Sequence, residues 1–170
     1  MELITGLNRE RNQQISTQAT ALNTLLLNHG LTPIFLKGTG NLLAGIYTDI
    51  AERMLGDIDF IFSKQDYPKA IQLLRENGYA EVVKAPYYFP NQHHYRRLKK
   101  DGNIAAIEIH KAFTLEKYNK EFNYTLTQKN SQTINNVRVL GYADALRLSI
   151  ITNQITDHGF YYKTIPLRNG

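Results

Sequence analysis

Gly56-Asp57-Ile58-Asp59-Phe60-Ile61-Phe62 is the stretch whose reading decides the fold. From Asp57 onward it alternates strictly, with Ile58, Phe60 and Phe62 on one face of an extended segment and Asp57, Asp59 and Ile61 on the other. Aspartate is poorly suited to strand interiors, and two on one strand face repel each other unless a cation or hydrogen-bond donors neutralise them. Divalent magnesium answers that need, because it is a hard ion that takes oxygen ligands, commonly one or two carboxylates plus substrate phosphates. The plain alternative is a solvated strand face, so the pair of aspartates gains meaning only with further residues.

Ile107-Glu108-Ile109-His110 supplies them. On a strand, Glu108 and His110 project to one side and Ile107 and Ile109 to the other. If this strand lies beside the Asp57 strand, the carboxylates of Asp57, Asp59 and Glu108 converge. Three acids suit a site for two magnesium ions, or manganese in their place, one serving the attacking oxygen and the other the triphosphate and its leaving group. His110 reads here as a neighbour of Glu108 rather than a ligand.

Upstream, Ile15, Ala19, Leu22, Leu25 and Leu26 recur at helical spacing between Asn8 and the stop at His29-Gly30. Ile34-Phe35-Leu36 is a short apolar strand. Lys37-Gly38-Thr39-Gly40 breaks it, and a helix from Asn41 to Tyr47 starts just after the glycines. Backbone N–H groups in such a turn, with Lys37 and the Thr39 hydroxyl, suit a phosphate, although the spacing matches neither a P-loop nor a dinucleotide fingerprint.

Downstream, Ser63-Lys64-Gln65-Asp66 has the form of a capping box ahead of a helix closed by Gly78. Strands follow at Tyr79 to Lys84, Tyr87 to Phe89, His94 to Lys99 and Ile104 to His110, the last two a hairpin around Lys100-Asp101-Gly102-Asn103. Gln132 to Leu140 forms another hairpin, turning at Asn135-Asn136, and Tyr142 to Thr156 reads as helix. The run His93 to Lys100 mixes cations with an aromatic, yet matches a solvated hairpin face at least as well as a polyanion-binding one. Adjacent His93 and His94 point to opposite faces of a strand, so no zinc site is expected there.

The 170 residues, 42% hydrophobic, fit one domain: an N-terminal helix over 1–32, a core over 33–140, and a helical segment over 141–170 that reads as the start of a longer lobe. Without cysteine there is no disulfide framework, thiolate metal site or cysteine nucleophile. The N-terminus lacks the apolar core of a signal peptide and no stretch is long enough to span a membrane, so a cytoplasmic protein is expected. A net charge of +5 is modest evidence for a polyanionic partner such as a nucleotide or RNA.

Taken in order, Phe35-Leu36-Lys37-Gly38 to Leu42, Ile46-Tyr47, Arg53, Gly56-Asp57-Ile58-Asp59-Phe60, Gly78-Tyr79 and Ile107-Glu108-Ile109-His110 resemble the poorly characterised nucleotidyltransferases of the DNA polymerase beta superfamily. The likeness runs from about residue 33 to 112. It implies an α/β (α+β) fold, a mixed sheet flanked by helices, with a helical C-terminal segment. It implies a reaction in which a hydroxyl attacks the α-phosphate of a nucleoside triphosphate, such as ATP, and releases pyrophosphate. It implies roles too: Asp57, Asp59 and Glu108 as metal ligands, and Gly38 with Lys37, Thr39 and Arg53 towards the triphosphate. The superfamily usually has serine or a second glycine where this chain has Thr39, and the interval from Gly38 to Asp57 is longer than in its smaller members. The acceptor, whether RNA, protein or small molecule, stays open. Two rivals stay open as well: a catalytically inactive nucleotide- or RNA-binding module, and a metal-dependent phosphohydrolase that uses the same acids to activate water.

Overall fold

The alternation around Asp57 becomes the strand β2 and builds a two-sided sheet. The computed structural model describes residues 2–82, 93–114, 120–156 and 161. Its elements run α1 (Glu2–Asn28), β1 (Ile34–Phe35), α2 (Lys37–Leu43), β2 (Asp57–Ile61), α3 (Asp66–Glu76), β3 (Ala80–Glu81), β4 (Leu98–Lys99), β5 (Ala106–His110), α4 (Tyr124–Thr127), β6 (Gln132–Ile134), β7 (Val137–Val139) and α5 (Tyr142–Ile151), with a π-helical turn over Thr152–Thr156. The strands form one mixed sheet in the order β3-β4-β5-β2-β1-β7-β6. β2 runs parallel to β5, and β1 parallel to β7; the other neighbours are antiparallel. This is the mixed, helix-flanked α/β architecture that the sequence leads one to expect.

Each sheet face has its own core. Ile58, Phe60 and Phe62 join Ile107, Ile109 and Phe35 beneath α1 and α3, while Ile61, Ile34 and Leu36 pack on the opposite face with Phe113, Phe122, Leu140 and Leu148. The rings of Phe35, Phe60 and Phe62 are fully buried with successive centroids 5.7 Å apart. Burying each such side chain contributes about 2–3 kcal/mol.

α1 is longer than its apolar spacing predicts. It begins at Glu2 rather than near Asn8, although Leu3, Ile4 and Leu7 are exposed, so the buried stripe marks where the helix is covered and not where it starts. Buried Asn12 and Asn23 and partly buried Gln18 fasten distant backbone. Asn12 donates to the carbonyls of Ile50 and Arg53, Asn23 to that of Asn136, and Gln18 both donates to and accepts from Ala105. In this way α1 fixes the long connection before β2.

The glycine turn is not a loop. α2 starts at Lys37, so the glycines form its first turn and the helix ends at Leu43 rather than Tyr47. Gly40 is required by a close approach: a Cβ there would lie 2.8 Å from the Phe35 carbonyl oxygen. Gly40→Ala is therefore expected to destabilise the fold by about 2–3 kcal/mol, read as a lower urea midpoint, since main chain cannot step aside as a side-chain tip can.

Ser63 caps α3 by accepting from the Asp66 N–H, and its hydroxyl donates to the Asp66 carboxylate, so the box closes through a side-chain pair. Asn135 and Asn136 both have positive φ (48° and 64°), the conformation that a two-residue hairpin turn requires. The expected strand at Tyr87 to Phe89 lies outside the described residues, and β3 covers only Ala80–Glu81 of the stretch expected to run to Lys84.

Candidate active site

β2 and β5 pair in parallel with Asp59 opposite Glu108 and Asp57 opposite Ala106. Because Ile58, Phe60, Ile107 and Ile109 all enter one core, the acids must emerge on the other face, and the two strands deliver Asp57, Asp59 and Glu108 to one patch. Asp59 is buried, whereas Asp57 and Glu108 are partly exposed.

Basic groups surround these acids. Lys37 Nζ lies 2.6 Å from Asp59 Oδ1 and 3.8 Å from Glu108 Oε2. Arg97 donates to Asp57 Oδ2 at 2.7 Å and to Glu108 Oε1 at 3.0 Å. His110 Nε2 lies 2.9 Å from Asp59 Oδ1. Burial by itself would raise Asp59, but His110 and Lys37 outweigh it and hold the carboxyl well below the usual range. Burial would lower Lys37; Asp59, Glu108 and Asp57 reverse that and keep it charged. Asp57 is raised, chiefly by desolvation, with Glu108 and Asp59 adding to Arg97's failure to offset it. His110 is pushed down by burial despite Asp59, so it is a neutral imidazole at pH 7.

Lys37 reaches this position from an unusual backbone. Its φ is +49°, in the left-handed region that side chains other than those of glycine, asparagine and aspartate seldom adopt. The ammonium is thus aimed at Asp59 from a strained first residue of α2.

The other expected triphosphate residues divide. Gly38 is buried, with Leu55 Cδ2 2.5 Å and the Arg53 guanidinium 3.5–3.6 Å from where a Cβ would stand. Thr39 is buried as well, and its hydroxyl donates to the Asp57 carbonyl at 2.9 Å, tying α2 to β2. Arg53 and Lys37 line a cavity of about 330 Å³ with Asn41, Leu148, Ser149 and Thr152. A second cavity, of about 190 Å³, adjoins Lys37, Glu108, His110, His93 and Thr152. Both open between the acidic sheet face and α5.

Two features escape the sequence reading. Arg97, taken there as one charge on a solvated hairpin, stands across from Glu108 because its neighbour Leu98 pairs with Ile107. The hairpin turn at Lys100 to Asn103 carries that register, so the signal was present. His93 and His94 do not part to opposite faces: their rings lie 5.5 and 5.3 Å from that of His110 and 4.8 Å from each other. The segment is not a regular strand, only an isolated bridge from His94 to His110, so strand alternation does not apply.

The donor set fits a divalent cation. One ligand atom each from Asp59, Glu108 and His110 lies within 4.8 Å of the others, and a positive group, Lys37 Nζ, already sits against two of them. Hard carboxylate oxygens suit magnesium. Among the described residues no helix is long and apolar enough to cross a membrane.

Comparison with known proteins agrees with the geometry. A solved structure of a candidate nucleotidyltransferase from Thermotoga maritima superposes with a TM-score of 0.59 over 86% of this chain and 89% of that one, at 13% sequence identity, a likeness of fold. No curated protein matches the chain. The family model described as "Uncharacterised nucleotidyltransferase" matches residues 1–169. With the acids on paired strands and the sheet order given above, this chain belongs to that nucleotidyltransferase family.

Proposed function

We propose that this protein transfers a nucleoside monophosphate from a nucleoside triphosphate, ATP among them, to a hydroxyl acceptor and releases pyrophosphate, with two magnesium or manganese ions held by Asp57, Asp59 and Glu108. The observation that carries the reading is the register of β2 and β5, which sets Asp59 beside Glu108 on the face lined by the two cavities. The ions would polarise the α-phosphate and favour the deprotonated acceptor. The remaining work belongs to the chain. Asp57, Asp59 and Glu108 fix where the reacting phosphate lies, and Lys37 and Arg53 accept the β- and γ-phosphates in the larger cavity. The first turn of α2, Gly38-Thr39, holds that wall in place, with Thr39 anchoring it to β2. Arg97, released from Asp57 and Glu108 when cations arrive, becomes a further donor to phosphate. A cytoplasmic setting, where nucleoside triphosphates are plentiful, belongs to the same reading.

The test is incubation with triphosphates labelled at the α- or the γ-phosphate, together with a cell extract. Transfer of α-label to a macromolecule or small molecule, dependent on a divalent ion, is the expected result. Release of γ-label as inorganic phosphate without α-transfer would replace transfer by hydrolysis. Within this reading Arg53→Ala is expected to weaken binding of a non-hydrolysable triphosphate about tenfold, the loss of one charge-assisted contact. Unchanged affinity, measured by calorimetry, would remove Arg53 from the cavity's function.

A further inference from the structure

The acids of this site have an imidazole among them, and its placement bears on which ion the site takes. His110 is 1% exposed, and its Nε2 points to Asp59 Oδ1 at 2.9 Å and lies 3.8 Å from Glu108 Oε2. Lys37 Nζ approaches the same two carboxylates at 2.6 and 3.8 Å, which marks the space between them as a position for positive charge. Asp57 is outside this close group and is engaged by Arg97. The His110 ring is braced by His93 and His94, and its Nδ1 is buried with no hydrogen-bond partner among the described residues. Its one polar contact is therefore with the acids. Facing the ionised Asp59 carboxylate, Nε2 donates its proton; a cation arriving between the acids displaces that hydrogen bond, and the ring proton moves to the unpartnered Nδ1, which leaves the Nε2 lone pair for the ion.

Resting on the metal-dependent reading above, we propose that His110 is itself a ligand, and that Asp59, Glu108 and His110 form a mixed carboxylate and imidazole site selective for a first-row transition ion over magnesium. Magnesium seeks six oxygen ligands in near-ideal octahedral geometry and gives up water reluctantly, so an imidazole nitrogen among its ligands is a handicap. Imidazole suits zinc, copper, iron and nickel, and affinity rises along the first row from manganese to copper, so manganese sets the lower bound of the preference. Asp57, with Glu108 on its other side, remains an oxygen-only position that magnesium can fill.

The experiment titrates Mn²⁺ alone into the full chain and records pulsed electron paramagnetic resonance of the bound ion, with Mg²⁺ competition for relative affinity. The expected result is ¹⁴N coupling of a directly bound imidazole, and tighter binding of Mn²⁺ than of Mg²⁺. In His110→Gln the coupling disappears and the preference shrinks, whereas His93→Gln retains both. If His110→Gln fails to fold, ¹⁵N-histidine labelling shows whether a histidine is the ligand, and survival of the coupling in both His93→Gln and His94→Gln assigns it to His110 over its two neighbours. Bound Mn²⁺ without nitrogen coupling would overturn the imidazole ligand and leave the carboxylate site standing. Coupling that survives in His110→Gln would move the ligand to another histidine and overturn the assignment. Absence of any divalent binding would overturn both readings.

Discussion

Asp57→Asn and Asp59→Asn are each expected to lower nucleotidyl transfer by about a thousandfold or more, since each removes a ligand worth several kcal/mol to the developing charge. Their stabilities should part. From the sequence, both substitutions relieve a crowded acidic face and leave the fold intact or slightly firmer. The structure keeps that expectation for Asp57 alone, whose carboxyl is raised by desolvation and is partly exposed. Its folded pKa lies above its unfolded one, so its charge detracts from stability at neutral pH, and the deficit vanishes as acid protonates it. Asp59 is the opposite case. It is buried between Lys37 and His110 and its pKa is depressed, so its stabilisation is fully present above the unfolded value near pH 4 and is lost as pH falls through the folded one. Asp59→Asn leaves a half-buried ammonium with a weaker partner, a loss of about 2–3 kcal/mol after allowance for solvent at Lys37. In metal-free buffer it should melt roughly 5–10 °C below wild type, with Asp57→Asn at or above it. Equal melting of the two variants would show that the Lys37 and His110 contacts do not stabilise Asp59.

Lys37→Met should move two affinities in opposite directions. The Nζ group sits against Asp59 and Glu108, where it competes with any arriving cation. Removing the charge while keeping an unbranched stem is expected to tighten Mn²⁺ binding without nucleotide by about tenfold, the equivalent of 1.4 kcal/mol of relieved competition. With metal saturating, the same variant should bind a non-hydrolysable triphosphate at least about tenfold more weakly, because a displaced Lys37 no longer meets the β- and γ-phosphates. Calorimetry with Mn²⁺ alone and then with the analogue separates the two. If both affinities fall together, Lys37 acts only to hold Asp59 in place.

How much of this was legible depends on the kind of signal. Strand alternation placed Ile58, Phe60 and Phe62 on one face and the acids on the other, and the helical stripe from Ile15 to Leu26 is buried as read except at Leu25, which is partly exposed. These are period-two and period-3.6 patterns, which burial enforces. The start of α2 was misplaced because glycine in a polar tetrapeptide suggests a turn, whereas Gly38 and Gly40 are there for close packing on Leu55 and the Phe35 carbonyl. Local propensity carries no record of what will press against a residue. The neighbourhood of Arg97 was legible only through the hairpin turn that sets its register, and the gathering of His93, His94 and His110 depends on an irregular segment beside β5, which hydrophobic spacing does not encode.

The left-handed backbone at Lys37 has an evolutionary consequence. A lysine held there costs about 1 kcal/mol relative to glycine, and an asparagine would be strained less. Selection for folding keeps lysine here only as long as buried Asp59 needs its charge, because that pairing outweighs the backbone cost, while Gly40 stays fixed by the main chain it faces. Only a task for the ammonium keeps lysine in place. A lineage of this chain that gave up its chemistry but kept its shape should therefore lose residues 37 and 59 together, since neither charge is stable there without the other.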